Sequence, residues 1–132
     1  MILFGTIDLL NNSLSVTSRL KIIIDLSDFL DTVKHLIQSG AVRISEHGYD
    51  ELAEDELTVM ELVNGVEQAQ IVEEYPDYPK GRCILLLQRD SQNQPVHALW
   101  GIPKGYDKPV VLITAYRPDP GRWDSAFLRR VE

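Results

Sequence analysis

Apolar residues recur every three or four positions between residues 27 and 39, a spacing that places them on one face of a helix. The apolar positions in this stretch are Phe29, Leu30, Val33, Leu36 and Ile37. Ser27 is a residue type that caps helix starts, and Gly40 is the type that follows helix ends. The pattern therefore predicts an amphipathic helix over residues 27–39, capped by Ser27 and ended by Gly40.

Two shorter helices are expected after this one, beyond a brief extended piece from Ala41 to Ile44. Ser45 is placed to cap a helix that covers about Glu46 to Ala53. Thr58 and Glu61 stand at the spacing of a capping box, in which each side chain binds a backbone N–H left free at a helix start. The part of the chain between residue 27 and about residue 66 is thus predicted to be mainly helical.

The pattern changes at residue 69, where apolar runs become short and are separated by loops rich in proline, glycine, asparagine and aspartate. Four strands are predicted, at Gln70 to Glu74, Arg82 to Gln88, Val96 to Ile102 and Val110 to Arg117. Because short loops join neighbouring strands as hairpins, the sheet is expected to be antiparallel. The tail from Trp123 to Arg130 is predicted to form a short helix.

Helices followed by strands are typical of an α+β fold. We predict one domain over residues 27–132, with N-terminal helices packed on one face of an antiparallel sheet of four or more strands. Residues 1–26 are expected to be an N-terminal extension or a pair of edge strands. A length of 132 residues suits one domain with a real core.

Charge is distributed unevenly along a chain whose net charge is -7. Residues 1–79 hold 15 acidic and 4 basic side chains, whereas residues 80–132 hold 9 basic and 5 acidic ones. A basic C-terminal half is compatible with an anionic ligand there, although acidic helix faces in contact with water produce the same asymmetry. Cys83 is the single cysteine, which indicates a reducing, cytoplasmic setting, and no apolar run is long enough to span a membrane.

The sequence holds no motif for a nucleotide cofactor and no paired cysteine or histidine motif for zinc. Its three histidines and one cysteine are widely spaced, and its carboxylates show no metal-binding spacing. We therefore expect no cofactor and no metal.

Two predicted strands carry groups that could move a proton or hold a phosphate. His97 can act as an acid or base, the Tyr116 hydroxyl can donate, and Arg82 with Arg117 can bind a phosphate. Further candidates are a second acid or base, His47, and two more substrate contacts, Thr114 and Lys104. These are the parts of a metal-independent ribonuclease, in which a ribose 2′-hydroxyl attacks the adjacent phosphate.

Each candidate also has a purely structural interpretation. His97 could bond a backbone carbonyl in the core, and the arginines could lie in water or form salt bridges. Strand alternation places Val110, Leu112, Thr114 and Tyr116 on one side of their strand and Arg117 on the other. On this alternation, Tyr116 and Arg117 cannot face one pocket unless the strand twists or ends there.

Several segments together resemble the family known as domain of unknown function 4258, over about residues 27 to 130. The resemblance is carried by Arg43-Ile-Ser-Glu-His47, Glu73-Glu-Tyr-Pro-Asp-Tyr-Pro-Lys-Gly81, Cys83-Ile-Leu-Leu-Leu87, Pro95-Val-His97 and Ile113-Thr-Ala-Tyr-Arg-Pro-Asp-Pro120 with Trp123. It implies the fold shared by barnase and RelE-type toxins, and a toxin paired with a small antitoxin protein. By the same analogy His47, Arg82, His97, Thr114, Tyr116 and Arg117 would line the site.

The leading hypothesis from the sequence is a metal-independent endoribonuclease of the RelE and barnase type, acting on RNA and held by an antitoxin. The rival hypothesis is a non-catalytic module that binds another protein. Convergence of Arg82, Lys104, Arg117 and Arg122 near His97 would favour the first, and their dispersal would favour the second. The sequence leaves the oligomeric state open.

Overall fold

A computed structural model describes residues 29–131. The predicted extension or edge strands at residues 1–26 lie outside the described residues. Thr32–Glu132 is one compact unit, and it holds the sheet. Residues 29–38 are helical (α1), and further helices are α2 (Glu46–Glu54), α3 (Val59–Gly65) and a 3-10 turn at Val66–Gln68. The strands are β1 (Val42–Ile44), β2 (Gln70–Tyr75), β3 (Cys83–Arg89), β4 (Pro95–Gly101) and β5 (Val110–Tyr116).

The described strands form one sheet in the order β1-β5-β4-β3-β2. Strands β2 to β5 are an antiparallel meander, and each of them lies within a residue of its predicted bounds. The α+β class is therefore confirmed. The prediction of a purely antiparallel sheet was wrong, because β1 pairs with β5 in parallel, with Val42 opposite Val110. A parallel pair joined by a long crossover has no hairpin turn, so the sequence carried no local sign of it.

Helix α2 continues the outer edge of β5 beyond the short β1. Ser45 donates its backbone N–H to the Leu112 carbonyl at 3.0 Å, and its hydroxyl both donates to the Ile113 carbonyl and accepts from the Gly48 N–H. Gly48 lies so close to β5 that an added Cβ would stand 2.9 Å from the Leu112 oxygen. The predicted placement of the helices on one face is thus only partly correct, since α2 covers an edge while α3 contacts β3.

The core lies between the helices and one face of the sheet, which we call the helix face. Its sheet residues have essentially no exposed surface: Ile84, Leu86, Val96, Ala98, Trp100 and Leu112. Val33, Leu62 and Val66 are buried from the helical segments. Gln88 is buried on the same face, where its amide nitrogen donates to the Leu62 carbonyl at 2.8 Å and its oxygen accepts from the Trp100 indole at 2.8 Å. The amide therefore pairs α3 with the sheet and leaves no orphaned polar group there.

A β-bulge in β5 changes the predicted alternation of its side chains. Thr114 is opposite Leu99, but Leu112 is opposite Trp100, so Ile113 is an extra residue. Beyond the bulge, Ala115 shares the helix face with Leu112, whereas Thr114 and Tyr116 lie on the opposite face, which we call the groove face. The prediction that Leu112 and Thr114 share a side was wrong, because the bulge shifts the alternation by one position.

The predicted C-terminal helix at 123–130 was also wrong. This stretch is a loop closed by an isolated bridge between Trp123 and Arg130. The Asp124 carboxylate accepts the backbone N–H of Leu128 at 3.0 Å, and Phe127 has a φ of 61°, outside the helical region. A side chain that takes backbone N–H groups for itself competes with a helix.

Candidate functional site

His97 lies at the centre of the groove face and has no exposed surface. Its Nε2 is 2.8 Å from the Phe127 carbonyl oxygen, and its Nδ1 is 3.2 Å from the Tyr116 hydroxyl. Because a carbonyl can only accept, Nε2 carries the hydrogen, and Nδ1 then accepts from Tyr116. Both nitrogens of a neutral imidazole are thereby satisfied.

Aromatic rings complete the surroundings of the imidazole. The Trp123 ring meets it edge to face at 4.4 Å between centroids, and the Tyr116 ring does so at 5.3 Å. Burial lowers the pKa of His97 below its ordinary value of 6.5, and the nearby Arg130 cation lowers it further, against an opposing effect of the Phe127 bond. We refer to His97, Tyr116, Trp123 and Phe127 as the His97 cluster. It joins the C-terminal loop to the sheet.

An open groove of about 620 Å³ borders this cluster on its solvent side. It is lined by Tyr116, Arg117, Asp119, Arg122, Trp123, Arg130 and Val131, and we call it the arginine groove. Three guanidinium groups and one carboxylate line this cavity. Each guanidinium has a carboxylate partner, since Arg122 lies 3.9 Å from Asp119 and the other two pair with carboxylates outside the lining, so the groove is rich in N–H donors while its charges are balanced.

Arg117 is held at one side of the groove by Asp90. Its guanidinium nitrogen is 2.9 Å from the Asp90 carboxylate, whose side chain is 3% exposed. Burial acts to raise the pKa of Asp90, but bonds from the backbone N–H groups of Gln94 and Gln92 and from Arg117 outweigh it, so the pKa is lowered. Asp90 is thus a stable anion that orients Arg117.

Arg130 is held at the other side by a stacked ring and a carboxylate. Its guanidinium carbon lies 4.9 Å from the Trp123 ring centre, and one of its nitrogens is 2.9 Å from a Glu73 oxygen. The Tyr75 hydroxyl donates to the same oxygen at 2.6 Å, and this bond is the largest cause that lowers the pKa of Glu73. Burial raises the pKa of Tyr75, which keeps that hydroxyl a donor.

Two predicted phosphate contacts lie at the other end of the sheet. Arg82 directly precedes β3 and Lys104 follows β4, and both belong to the loops at the Cys83 and Gly101 end of the strands. The row that holds His97 is four residues further along β3, which is roughly 13 Å at about 3.3 Å per residue. The described structure therefore does not bring Arg82 and Lys104 to the groove that holds Arg117.

His47 and Thr114, two further candidates, are joined through Glu51 of α2. His47 is well exposed, with its Nε2 3.9 Å from a Glu51 oxygen, and Thr114 donates to that same oxygen at 3.3 Å. The structure thus places the seven predicted site residues in three groups. The first is His97, Tyr116 and Arg117; the second is His47 and Thr114, of which Thr114 also lines a cavity with Tyr116; the third is Arg82 and Lys104.

Several groove residues were missing from the sequence-based site. Asp119 and Arg130 were overlooked, and Arg122 and Trp123 were not assigned to a pocket. A helix over 123–130 would have placed Trp123 and Arg130 about 10 Å apart along its axis, whereas the loop brings the Arg130 guanidinium to 4.9 Å from the Trp123 ring centre. The run Pro118-Asp-Pro-Gly121 was the available sign that a loop rather than a helix follows β5.

No group of three or more potential metal ligands was found within residues 29–131. No helix in that range is long and apolar enough to cross a membrane. No curated protein and no solved structure matches the chain.

The geometry defines an α+β domain with a five-stranded mixed sheet and an arginine-lined groove beside its last strand. A family model for the domain of unknown function DUF4258 matches residues 44–117, which is more than half of the chain. The chain therefore belongs to this family. The match begins at the end of β1 and ends at Arg117, so most of the loop that forms the groove lies beyond it. The expected likeness to barnase and RelE-type toxins stays a prediction.

Proposed function

We propose that the arginine groove binds single-stranded RNA, and that the domain is a metal-independent endoribonuclease of the RelE and barnase type. The proposal includes the toxin role, with a small antitoxin protein as partner. The observation that carries it is the convergence of three arginines and the Tyr116 hydroxyl on one open cavity.

The binding step rests on how the arginines are oriented. Guanidinium groups bind phosphate oxygens through paired hydrogen bonds, and each has five N–H donors to share. Asp90 and Glu73 each engage one nitrogen of their arginine, as described above, and leave other donors for a ligand. A guanidinium that is already oriented loses less conformational entropy when a phosphate arrives.

The cleavage step needs a base for the 2′-hydroxyl and an acid for the leaving oxygen. The 2′-oxygen attacks the adjacent phosphorus, and the bond from phosphorus to the 5′-oxygen breaks, which leaves a cyclic phosphate and a 5′-hydroxyl. We assign the base role to Asp119, the carboxylate among the groove residues. We assign the acid role to Tyr116, whose hydroxyl lines the groove and is protonated at neutral pH.

In this scheme His97 acts through Tyr116 rather than on RNA. The Tyr116 hydroxyl hydrogen points to His97 Nδ1 in this structure, and it must turn toward the 5′-oxygen for the reaction. His97 is thus a positioning residue, and the predicted contact between His97 and RNA is replaced by an indirect role. Arg117, Arg122 and Arg130 would stabilise the charge that develops on the phosphate.

The proposal is tested with purified protein and single-stranded RNA in the presence of EDTA. Arg122→Ala is expected to weaken RNA binding about tenfold, because a charged hydrogen bond is lost. Tyr116→Phe and Asp119→Asn are expected to abolish cleavage while RNA still binds. Arg43→Ala is the matched control, since Arg43 is exposed on the edge strand β1 opposite Val111, five residues along β5 from Tyr116.

A protein that fails to retain RNA at low salt would overturn the proposal. Equal loss of affinity in Arg122→Ala and Arg43→Ala would also overturn it, because binding would then depend on net charge rather than on the groove.

The second candidate function is a non-catalytic binding module. It is favoured by the complete burial of His97 and by the separation of Arg82 and Lys104 from the groove. RNA that binds the groove but stays intact across many sequences would support a module for RNA. A partner protein that binds the groove in place of RNA would support the module for proteins.

A further inference from the structure

A second groove of about 240 Å³ adjoins the arginine groove on the groove face. Its floor is apolar and includes Leu85, Leu99 and Ile113 from three neighbouring strands. Tyr75 and Tyr78 stand at its rim. Tyr116 and Arg130 line this groove and the arginine groove alike, so the two are neighbours. We call the second one the apolar groove.

The apolar groove exists because the C-terminal loop covers one row of side chains and not the next. The row of Leu87, His97 and Tyr116 lies under Trp123 and Phe127, whereas the neighbouring row of Leu85, Leu99 and Thr114 lines the cavity. Gly101 leaves space for the Ile113 side chain in this groove. A Cβ on that glycine would stand 2.9 Å from the Ile113 side chain, so a larger residue would displace it.

We infer that the apolar groove holds a nucleobase of the RNA whose phosphate lies in the arginine groove. This inference rests on the proposed RNA binding. A nucleic acid strand alternates charged phosphates with flat, weakly polar bases, and the two adjoining grooves present guanidinium N–H donors beside an apolar surface in the same way. Base stacking on aromatic side chains is the usual means by which proteins hold single strands.

Tyr78 is the side chain best placed to stack on the base. It is 49% exposed at the rim, and its carbonyl accepts the Gly81 N–H at 2.9 Å, which fixes the turn that carries it. Tyr75 is oriented by the bond from its hydroxyl to Glu73. The ring of Tyr78 is therefore free of packing on much of its surface. The ring of Tyr75 is held rigidly beside Arg130.

The hydrogen-bonding groups of the groove predict weak selectivity among bases. The hydroxyl hydrogens of Tyr75 and Tyr116 are directed to Glu73 and His97, so they are engaged within the protein. Thr114 has a long bond of 3.3 Å to Glu51, which leaves its hydroxyl as the group most available to a base edge. A pocket that recognises a base mainly by stacking accepts purines and pyrimidines alike.

The experiment compares two ligands of equal charge: a short single-stranded RNA, and the same ribose-phosphate chain without bases. Binding of each is followed by fluorescence anisotropy with the full-length protein. The wild type is expected to bind RNA about tenfold more tightly than the abasic chain, because one or more stacked bases contribute. Tyr78→Ala is expected to remove this difference and leave abasic binding unchanged, whereas Tyr78→Phe keeps the difference.

Arg122→Ala separates this inference from the proposed function, since it should weaken both ligands equally. If the wild type binds RNA and the abasic chain equally, or if Tyr78→Ala weakens both ligands to the same degree, the base site is overturned while the phosphate groove stands. If neither ligand binds, RNA binding itself fails, and the base site fails with it. A circular dichroism spectrum confirms that the Tyr78 variants are folded.

Discussion

Each face of the sheet buries one polar side chain, and the two have different surroundings. Gln88 on the helix face lies among regular elements, where it bonds Leu62 of α3 and Trp100 of β4. His97 on the groove face bonds Tyr116 of β5 and the Phe127 carbonyl of an irregular loop. Both side chains are fully buried and both use their hydrogen-bonding atoms.

The difference shows how one sheet supports a rigid core and a binding surface. The helix face is closed by apolar side chains, so Gln88 adds specificity to a contact that burial already stabilises. The groove face is closed along a single row of side chains, and His97 holds the covering loop together with the pair of Arg130 and Glu73. The arginines belong to that loop, so the shape of the groove depends on a few hydrogen bonds.

Gln88→Ala is expected to have the largest effect on stability. It leaves the Leu62 carbonyl and the Trp100 indole N–H without partners in a closed core, and each orphaned group costs about 1–3 kcal/mol. We expect a loss of about 2–4 kcal/mol in the free energy of unfolding, measured by urea denaturation. A loss below that of His97→Ala would contradict the proposed contrast between the faces.

His97→Ala is expected to cost less, about 1–3 kcal/mol, because the groups that it releases can reach water when the loop moves. The effect should be local. Limited proteolysis should cut the variant between residues 117 and 131 more rapidly than the wild type, while Gln88→Ala should show no such preference. Uniform protection of this loop in His97→Ala would show that the imidazole does not hold it.

Lowering the pH is expected to weaken the groove face through the same imidazole. The folded protein lowers the pKa of His97 below 6.5, so it favours the neutral form. The stability that this provides is present above pH 6.5 and is lost as the pH falls through the lower pKa of the folded state. Urea denaturation at pH 7.5 and pH 5 should therefore show a decrease for the wild type.

The control for this pH effect is His97→Gln, whose stability should change less over the same interval. The ordinary pKa values of the carboxylates Glu73 and Asp90 are 4.5 and 3.8, and the folded protein lowers both. The stability that these carboxylates contribute is therefore lost at a lower pH than that of His97. Equal pH dependence in the wild type and the variant would contradict a neutral, buried His97.

Glu73→Gln is expected to give the smallest change. Glu73 and Arg130 form a partly exposed pair, so its loss should lower the free energy of unfolding by less than about 1 kcal/mol. Removal of the negative charge should raise affinity for RNA by up to about fivefold, since Arg130 gains donors for phosphate. Anisotropy titration measures this change, and weaker binding would indicate that the carboxylate is needed to orient Arg130.

The meander and its helices could be predicted because their signals are local. The capping box of Thr58 and Glu61 is present with both reciprocal bonds, and Ser45 caps α2 as expected. The parallel pairing of β1 with β5 could not be predicted in the same way, because Val42 and Val110 are distant in the sequence.

The site was harder to predict than the fold, for two physical reasons. The bulge at Ile113 lies beside Gly101, where an added Cβ would stand 2.9 Å from the Ile113 side chain, and it moves Thr114 and Tyr116 to the face of His97. The loop after residue 117 is shaped by the Asp124 carboxylate and by a left-handed Phe127, which a helical pattern of apolar residues conceals. His97, Tyr116 and Arg117 could be identified from the sequence because they interrupt or end apolar strands. Arg122 and Arg130 lie after the last strand, so no apolar run marks them as exceptional.

The central claim, that the groove face binds RNA, is tested most directly by an NMR titration of the full-length protein with short single-stranded RNA at low salt. The account predicts that shifted amide resonances lie between residues 116 and 131 and at Tyr75 and Tyr78, together with the Trp123 indole N–H. Resonances of α3 and β1 should stay unchanged. An absence of shifts, or shifts centred on α2 and α3, would contradict it.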